Sequence, residues 1–237
     1  METRGQKIWY YVKCILWLIG LFFLSQVPTL LATIVGKFAN KASIPVQVGI
    51  GVVWLIIFTA IIIFFIKFFN KYSKEGFKKI NIGDGVVVFL YYLVGLGITG
   101  IGTVLMQVVY GDTTTENQAV IETLFGADQS MVTVLCMTIS IAIGAPILEE
   151  LLFRGIPVAF FGDKMPMWVI GIVTSLLFSA GHLSTNIISF IIYFAMGMLM
   201  FLTYRTRKNI GDSMLFHFFQ NGLAAFMMLK MYLDAIN

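Results

Sequence analysis

Charge is what this sequence has least of. Asp, Glu, Lys and Arg make up 12% of its 237 residues, about half the share usual in soluble domains. So little charge cannot solvate a chain that is 59% hydrophobic, and a water-soluble globule is excluded. Cysteine is also scarce. Cys14 and Cys136 both lie in apolar runs and no CxxC is present, which argues against a disulfide framework or a cysteine zinc site. Histidine occurs only as His182 and His217, and no HExxH is found. Repeats, low-complexity tracts and linker-like stretches are lacking, so residues 1–237 read as a single integral membrane domain. The excess of basic residues, a net charge of +4, sits in short loops between apolar runs. There it sets membrane topology, and no nucleic-acid partner is expected.

What is present is apolar length. The mean hydropathy is +0.90, with 22 Phe, 13 Met and 22 Gly. A span needs about 20 mainly apolar residues. The runs that qualify are 8–35, 46–69, 85–110, 131–160, 167–184, 187–204 and 212–234. The fold class expected is therefore all-α, a polytopic membrane helical bundle of about seven helices, with six to eight as the range. The fourth run is long enough to divide into a span and a short interfacial helix. Arg4, Lys7 and Lys13 precede the first run as in a signal peptide. The run continues to about Val35, however, and reads as an uncleaved first span. Lys71, Lys74, Lys78 and Lys79 in one loop and Arg205, Arg207 and Lys208 in another place both loops in the cytoplasm. The loop with Asp112, Glu116, Glu122 and Asp128, which lacks lysine and arginine, falls outside. A multi-pass protein of the bacterial plasma membrane with a cytoplasmic N-terminus is expected.

Ionisable residues are almost missing from the interiors of the first three runs and gather in the last four. Glu149, Glu150 and Arg154 lie in the fourth, His182 near the end of the fifth, and His217 and Asn221 in the seventh. Such groups are costly inside a membrane and mark function by default. Counted from the nearest loop, Glu149 lies about 20 Å along its helix, and His182 and Asn221 reach overlapping depths. One cavity can hold them all. Glu150 and Arg154 are spaced i,i+4, as an intrahelical ion pair requires, while Glu149 points about 100° away and is left free. His217 and Asn221 share a face, as do Phe178 and His182. Pro146, four residues before Glu150, removes a backbone hydrogen bond beside the acids.

These side chains suit one kind of chemistry. A Glu and a His that share a water can activate it for attack on a carbonyl, and a second His with an Asn amide can stabilise the oxyanion. The same Glu149, His182 and His217 would also form a two-His, one-carboxylate zinc site. The residues alone leave both options open.

At these positions the chain resembles the CAAX-processing and bacteriocin-processing (Abi) membrane protease family, which includes the type II CAAX prenyl endopeptidases. The motif EExxxR is Glu149 to Arg154, FxxxH is Phe178 to His182, and HxxxN is His217 to Asn221. The resemblance covers roughly Ala142 to Ala225, the expected catalytic core. It implies an intramembrane endopeptidase with Glu149 as water-activating base, His182 beside it, His217 and Asn221 at the oxyanion, and Glu150 paired with Arg154. It leaves zinc undecided. It implies a membrane-associated peptide or lipidated protein tail as substrate, with bacteriocin or signal-peptide processing as a role; the basic loops favour approach from the cytoplasmic side. Two other readings stand beside it. One is a non-catalytic immunity or scaffold protein of the same family. The other is a proton or cation transporter, which would need polar stripes in several helices.

Overall fold

The computed structural model describes residues 3–236, and in it each of the seven apolar runs is a helix. Helix α1 (Arg4–Ala39) begins at a capping box in which Thr3 and Gln6 satisfy each other's backbone donors. Pro28 lies within it, and the Pro28 carbonyl accepts a 2.9 Å bond from the Trp54 indole of α2 (Ile44–Tyr72), joining the first two helices. Helix α3 (Ile82–Tyr110) starts at a second capping box, Asn81 with Asp84, and stops at Gly111, whose φ of 79° a glycine adopts without strain. A short helix α4 (Glu116–Glu122) and a 3₁₀ turn (Thr123–Phe125) fill the acidic loop. The remaining elements are α5 (Met131–Phe161), α6 (Met167–Gly181), α7 (Ile187–Arg207) and α8 (Ile210–Ile236).

Among the described residues five helices, α1, α2, α3, α5 and α7, are long and apolar enough to cross a membrane, in keeping with a multi-pass membrane protein. Helix α8 has the length, at 27 residues, but carries His217, Gln220, Asn221, Lys230 and Asp234 along it. Helix α6 is apolar but has only 15 residues. At 1.5 Å per residue it rises about 22 Å, short of a hydrocarbon core of about 30 Å. The chain that follows it, 182–186, therefore sits below the membrane surface. Non-helical backbone at that depth must be covered by protein or line a cavity, and here α4 covers it. The Asn117 amide donates to the Leu183 carbonyl (3.2 Å), and Thr185 and Asn186 both bond to Glu116.

The fourth run differs from expectation. It does not divide into a span and an interfacial helix; the interfacial helix is α4, in the loop before it. Instead α5 runs on through two π-turns, Ser140–Gly144 and Leu151–Gly155. Each ends two residues before a proline, Pro146 or Pro157. A proline ring in an α-helix clashes with the carbonyl four residues earlier. The widened turns move the amides of Ala145 and Ile156 to carbonyls five residues back, Ser140 and Leu151, so the helix continues past both prolines. The loss of a backbone hydrogen bond expected at Pro146 takes this form.

The packing is densest around α5, α7 and α8. Helix α3 lies close against α7 because Gly102 leaves room. A Cβ there would stand 2.4 Å from the Ile192 side chain. At the basic end of the bundle, ion pairs tie the α7–α8 turn together and to its neighbours: Arg205 to Glu75 of the 73–81 loop at 2.8 Å, Arg207 to Asp84 at the start of α3 at 2.5 Å, and Arg207 to Asp212 of α8 at 2.7 Å.

Candidate active site

The six residues singled out in the sequence converge in the structure. Glu149, His182, His217 and Asn221 line one cavity of about 850 Å³, and Glu150 and Arg154 form its buried foundation.

The two adjacent glutamates have opposite surroundings. Glu150 has no exposed surface and every side of its carboxylate is engaged. Arg154 donates to Oε1 at 3.0 Å, the i,i+4 pair expected, and His217 Nδ1 reaches the same oxygen at 3.0 Å. The Ser213 hydroxyl meets Oε2 and also lies 2.9 Å from the Met200 carbonyl. Arg154, likewise without exposed surface, donates to the Gly197 carbonyl at 3.1 Å and stacks over Phe178 with its guanidinium carbon 4.4 Å from the ring centre. A buried ion pair persists only when its charge is compensated and hydrogen-bonded; here both Glu150 oxygens are met and Arg154 is bonded through two nitrogens and stacked on Phe178, while its Nε has no partner. Glu149, by contrast, carries a buried Oε2 that no group bonds. One residue's rotation around the helix separates a carboxylate saturated by protein from one open to the cavity.

The FxxxH spacing has a local cause. Helix α6 stops at Gly181, and the His182 amide turns to the Ser179 carbonyl at 3.1 Å. The Phe178 carbonyl is thus one of the orphan acceptors of a helix end. The His182 ring takes it through Nδ1 at 2.8 Å. A carbonyl only accepts, so Nδ1 carries the proton and Nε2 of the neutral ring is an acceptor. The ring is held between Phe178 and Tyr193, at centroid distances of 4.4 and 4.3 Å. His217 is tethered the same way, through Nδ1 to Glu150, which leaves its Nε2 without a tether.

Asn221 is partly occupied. Its amide donates to the Ile141 carbonyl in the first π-turn at 3.3 Å, which leaves one amide hydrogen and the carbonyl oxygen unspent.

Several cavity residues escaped the sequence reading. Gln26, Thr29 and Thr33 on α1 and Thr99 and Thr103 on α3 line it. Their spacings, i,i+3,i+7 and i,i+4, place each set on one face, so α1 and α3 do carry polar stripes, though uncharged ones. Tyr193 and Ser213 were also missed; a tyrosine and a serine in apolar runs give no signal of their own. Tyr193 links the site to α4, since its hydroxyl lies 2.8 Å from that of Thr115. The cavity also reaches the end of the bundle that carries the acidic loop, where Thr113, Glu122 and Leu124 form part of its wall. That is the end opposite the basic loops.

Comparison with known proteins agrees with the motifs. Residues 131–223 match the family model of type II CAAX prenyl endopeptidase Rce1-like proteins, a family of proteases, so the resemblance is borne out over the region that builds the site. The UPF0177 protein YaiH of Lactococcus lactis subsp. lactis is 40% identical over 86 residues, which are 36% of this chain. The matched part spans about a third of that relative's length, 34%. No solved structure matches the chain.

Proposed function

We propose that this protein is an intramembrane peptidase whose nucleophile is a water activated by Glu149. The observation that carries the reading is the contrast between the two glutamates: Glu150 is spent on Arg154, His217 and Ser213, while Glu149 keeps a buried oxygen without a partner in the cavity wall. A buried acceptor left unpaired costs free energy, on the order of 1–3 kcal/mol, and a water or a substrate group would repay it.

In this mechanism a water binds between Glu149 and His182. Nε2 of His182 accepts one of its hydrogens and Glu149 takes the other proton as the oxygen adds to the peptide carbonyl. The carbonyl oxygen becomes an oxyanion and receives hydrogen bonds from Asn221 and His217. Since His217 Nδ1 already donates to Glu150, a donor at Nε2 requires the imidazolium form, and Glu150 is its counter-ion. Glu149 then returns its proton to the departing amine as the C–N bond breaks. Substrates would be membrane-associated peptides or lipidated protein tails, with processing of bacteriocins or signal peptides as the setting.

A second reading treats Glu149, His182 and His217 as zinc ligands. Tethering both histidines through Nδ1 to oxygen acceptors favours it, because metal-ligating histidines are oriented in this manner. Among the described residues no group of three His, Cys, Asp or Glu stands close enough to hold a metal ion, so no step is routed through one.

The test is hydrolysis of a panel of quenched fluorogenic peptides by the purified protein in liposomes. Wild type and Glu149→Ala are each assayed with and without a strong chelator. Loss in Glu149→Ala with activity retained under chelator supports the metal-free mechanism. Loss under chelator moves the reading to zinc. Equal rates for wild type and Glu149→Ala would remove the proposed base.

A further inference from the structure

The cavity has a charge and a direction. Two carboxylates line it, Glu122 near its outer end and Glu149 deep within, and among the described residues no lysine or arginine does. The sequence contains neither between Lys79 and Arg154. Glu122 accepts one bond from Gln118 at 2.9 Å, and no described cation pairs with it. The basic end of the bundle differs, since Arg205 and Arg207 are neutralised there by Glu75, Asp84 and Asp212.

An independent feature shows what the walls require. Ser140 is 4% exposed and lines the cavity, yet its hydroxyl has no partner; the same holds for one oxygen each of Gln220 and Glu149. Buried polar groups are nearly always bonded, so these await an occupant. The orphans of Gln220 and Glu149 are acceptors, and they call for donors. An extended peptide brings backbone N–H groups, and a lysine or arginine side chain brings several more together with the charge that Glu122 and Glu149 lack. The threonine faces of α1 and α3 offer hydroxyls along the same passage.

Direction follows from topology. Helix α3 crosses the bundle between the lysine-rich loop and the acidic one, so the two loops lie at opposite ends. The outer wall of the cavity, including Thr113 and Glu122, belongs to the acidic end. Basic loops face the cytoplasm, and this passage therefore faces the other compartment.

We infer that the cavity takes its peptide from the side of the membrane opposite the basic loops and selects a segment bearing a lysine or arginine, with Glu122 as the residue that reads that charge. The inference rests on the peptidase reading only in taking the ligand to be a peptide.

The experiment measures binding rather than cleavage. The full chain is reconstituted in vesicles of zwitterionic phosphatidylcholine, so that lipid charge attracts neither probe. The probes are a fluorescein-labelled apolar peptide ending in two lysines and a twin ending in two glutamates, compared by anisotropy. Wild type is expected to bind the lysine peptide at least tenfold more tightly than the twin. Glu122→Gln should erase most of that preference and Glu122→Lys should invert it, whereas Asp112→Asn, in the same loop but outside the cavity, should change it less than twofold. Equal binding of the twins, or equal effects of Glu122→Gln and Asp112→Asn, would overturn the assignment of Glu122. Direction is read in intact cells with a membrane-impermeant maleimide. Thr113→Cys should label and Lys79→Cys should not; the reverse pattern overturns the direction. Charge-selective binding without hydrolysis would sink the peptidase reading alone, and hydrolysis without charge preference would sink this inference alone.

Discussion

Helices α1, α2 and α3 and helices α5 and α7 are alike as apolar spans and unlike in what surrounds them. In their most apolar stretches 22%, 22% and 17% of the residues of the first three are buried inside the protein, against 50% for each of the other two. Hydropathy therefore reports that a helix avoids water and says nothing about whether lipid or protein replaces it. What separates α5 from the first three is its load of charged side chains, and α7 is buried because it packs on that cluster, its Gly197 carbonyl taking a bond from Arg154. Glu150, Arg154 and His217 can exist within the membrane only when surrounded by one another and by their partners. The first three helices serve mainly as a wall, and α1 and α3 contribute hydroxyls and one glutamine to the cavity.

That division can be broken at several points. The largest effect is expected at Glu149→Gln, which keeps the shape and removes the base. Hydrolysis should fall by about 10²–10⁴-fold with an unchanged melting temperature, and a Glu149→Gln protein that cleaves normally would leave the C-terminal helices special only in packing. Next is Arg154→Ala, which strands the Glu150 carboxylate without its cation. Breaking a buried pair from one side costs about 3–5 kcal/mol, so thermal unfolding in detergent should show a large loss, and Glu150→Ala a similar one. A smaller loss, about 1–3 kcal/mol, is expected for Gly102→Val, where the added carbons meet Ile192 across the α3–α7 contact; a silent substitution would show that α3 is not fixed at that seam. The smallest effect belongs to the wall itself. Val108→Leu, at a residue 77% exposed on the outside of α3, should change the same unfolding measurement by less than about 0.5 kcal/mol, and a clear loss would mean that a protein surface rather than lipid faces it.

Much of this arrangement is legible in the sequence because membranes simplify the code. Apolar length located seven helices, five of them long and apolar enough to cross a membrane, and ionisable residues inside the later ones located the cavity, since such groups have few other reasons to be there. The spacing of Glu150 and Arg154 anticipated their pair and left Glu149 free. Other features obey rules that the sequence does not display. The stripes of Gln26, Thr29 and Thr33 and of Thr99 and Thr103 are diluted among apolar residues, and a threonine can bond to its own helix as easily as line a passage; the Thr99 hydroxyl also reaches the Gly95 carbonyl at 3.1 Å. The partial use of Asn221 depends on the carbonyl that the π-turn presents at Ile141. The direction of the cavity follows from α4, whose seven residues are too short for periodicity to reveal. Its tie to Thr185 also holds the Glu116 carboxyl below the usual carboxylate range, a bond between residues 69 apart in the chain that no local pattern predicts.

The π-turn at Ser140–Gly144 makes α5 a question of phase. Each residue in an α-helix advances the azimuth by about 100° and the height by about 1.5 Å. Straightening the wide turn to regular α geometry while keeping all of its residues would barely lengthen the helix. It would nevertheless swing everything beyond the turn around the axis by one residue's angle, taking Glu149 off the cavity and Glu150 off the Arg154, His217 and Ser213 cluster. The catalytic identity of the two glutamates is thus stored as a single extra residue, nine positions or fewer upstream of the base, in a stretch that itself does no chemistry.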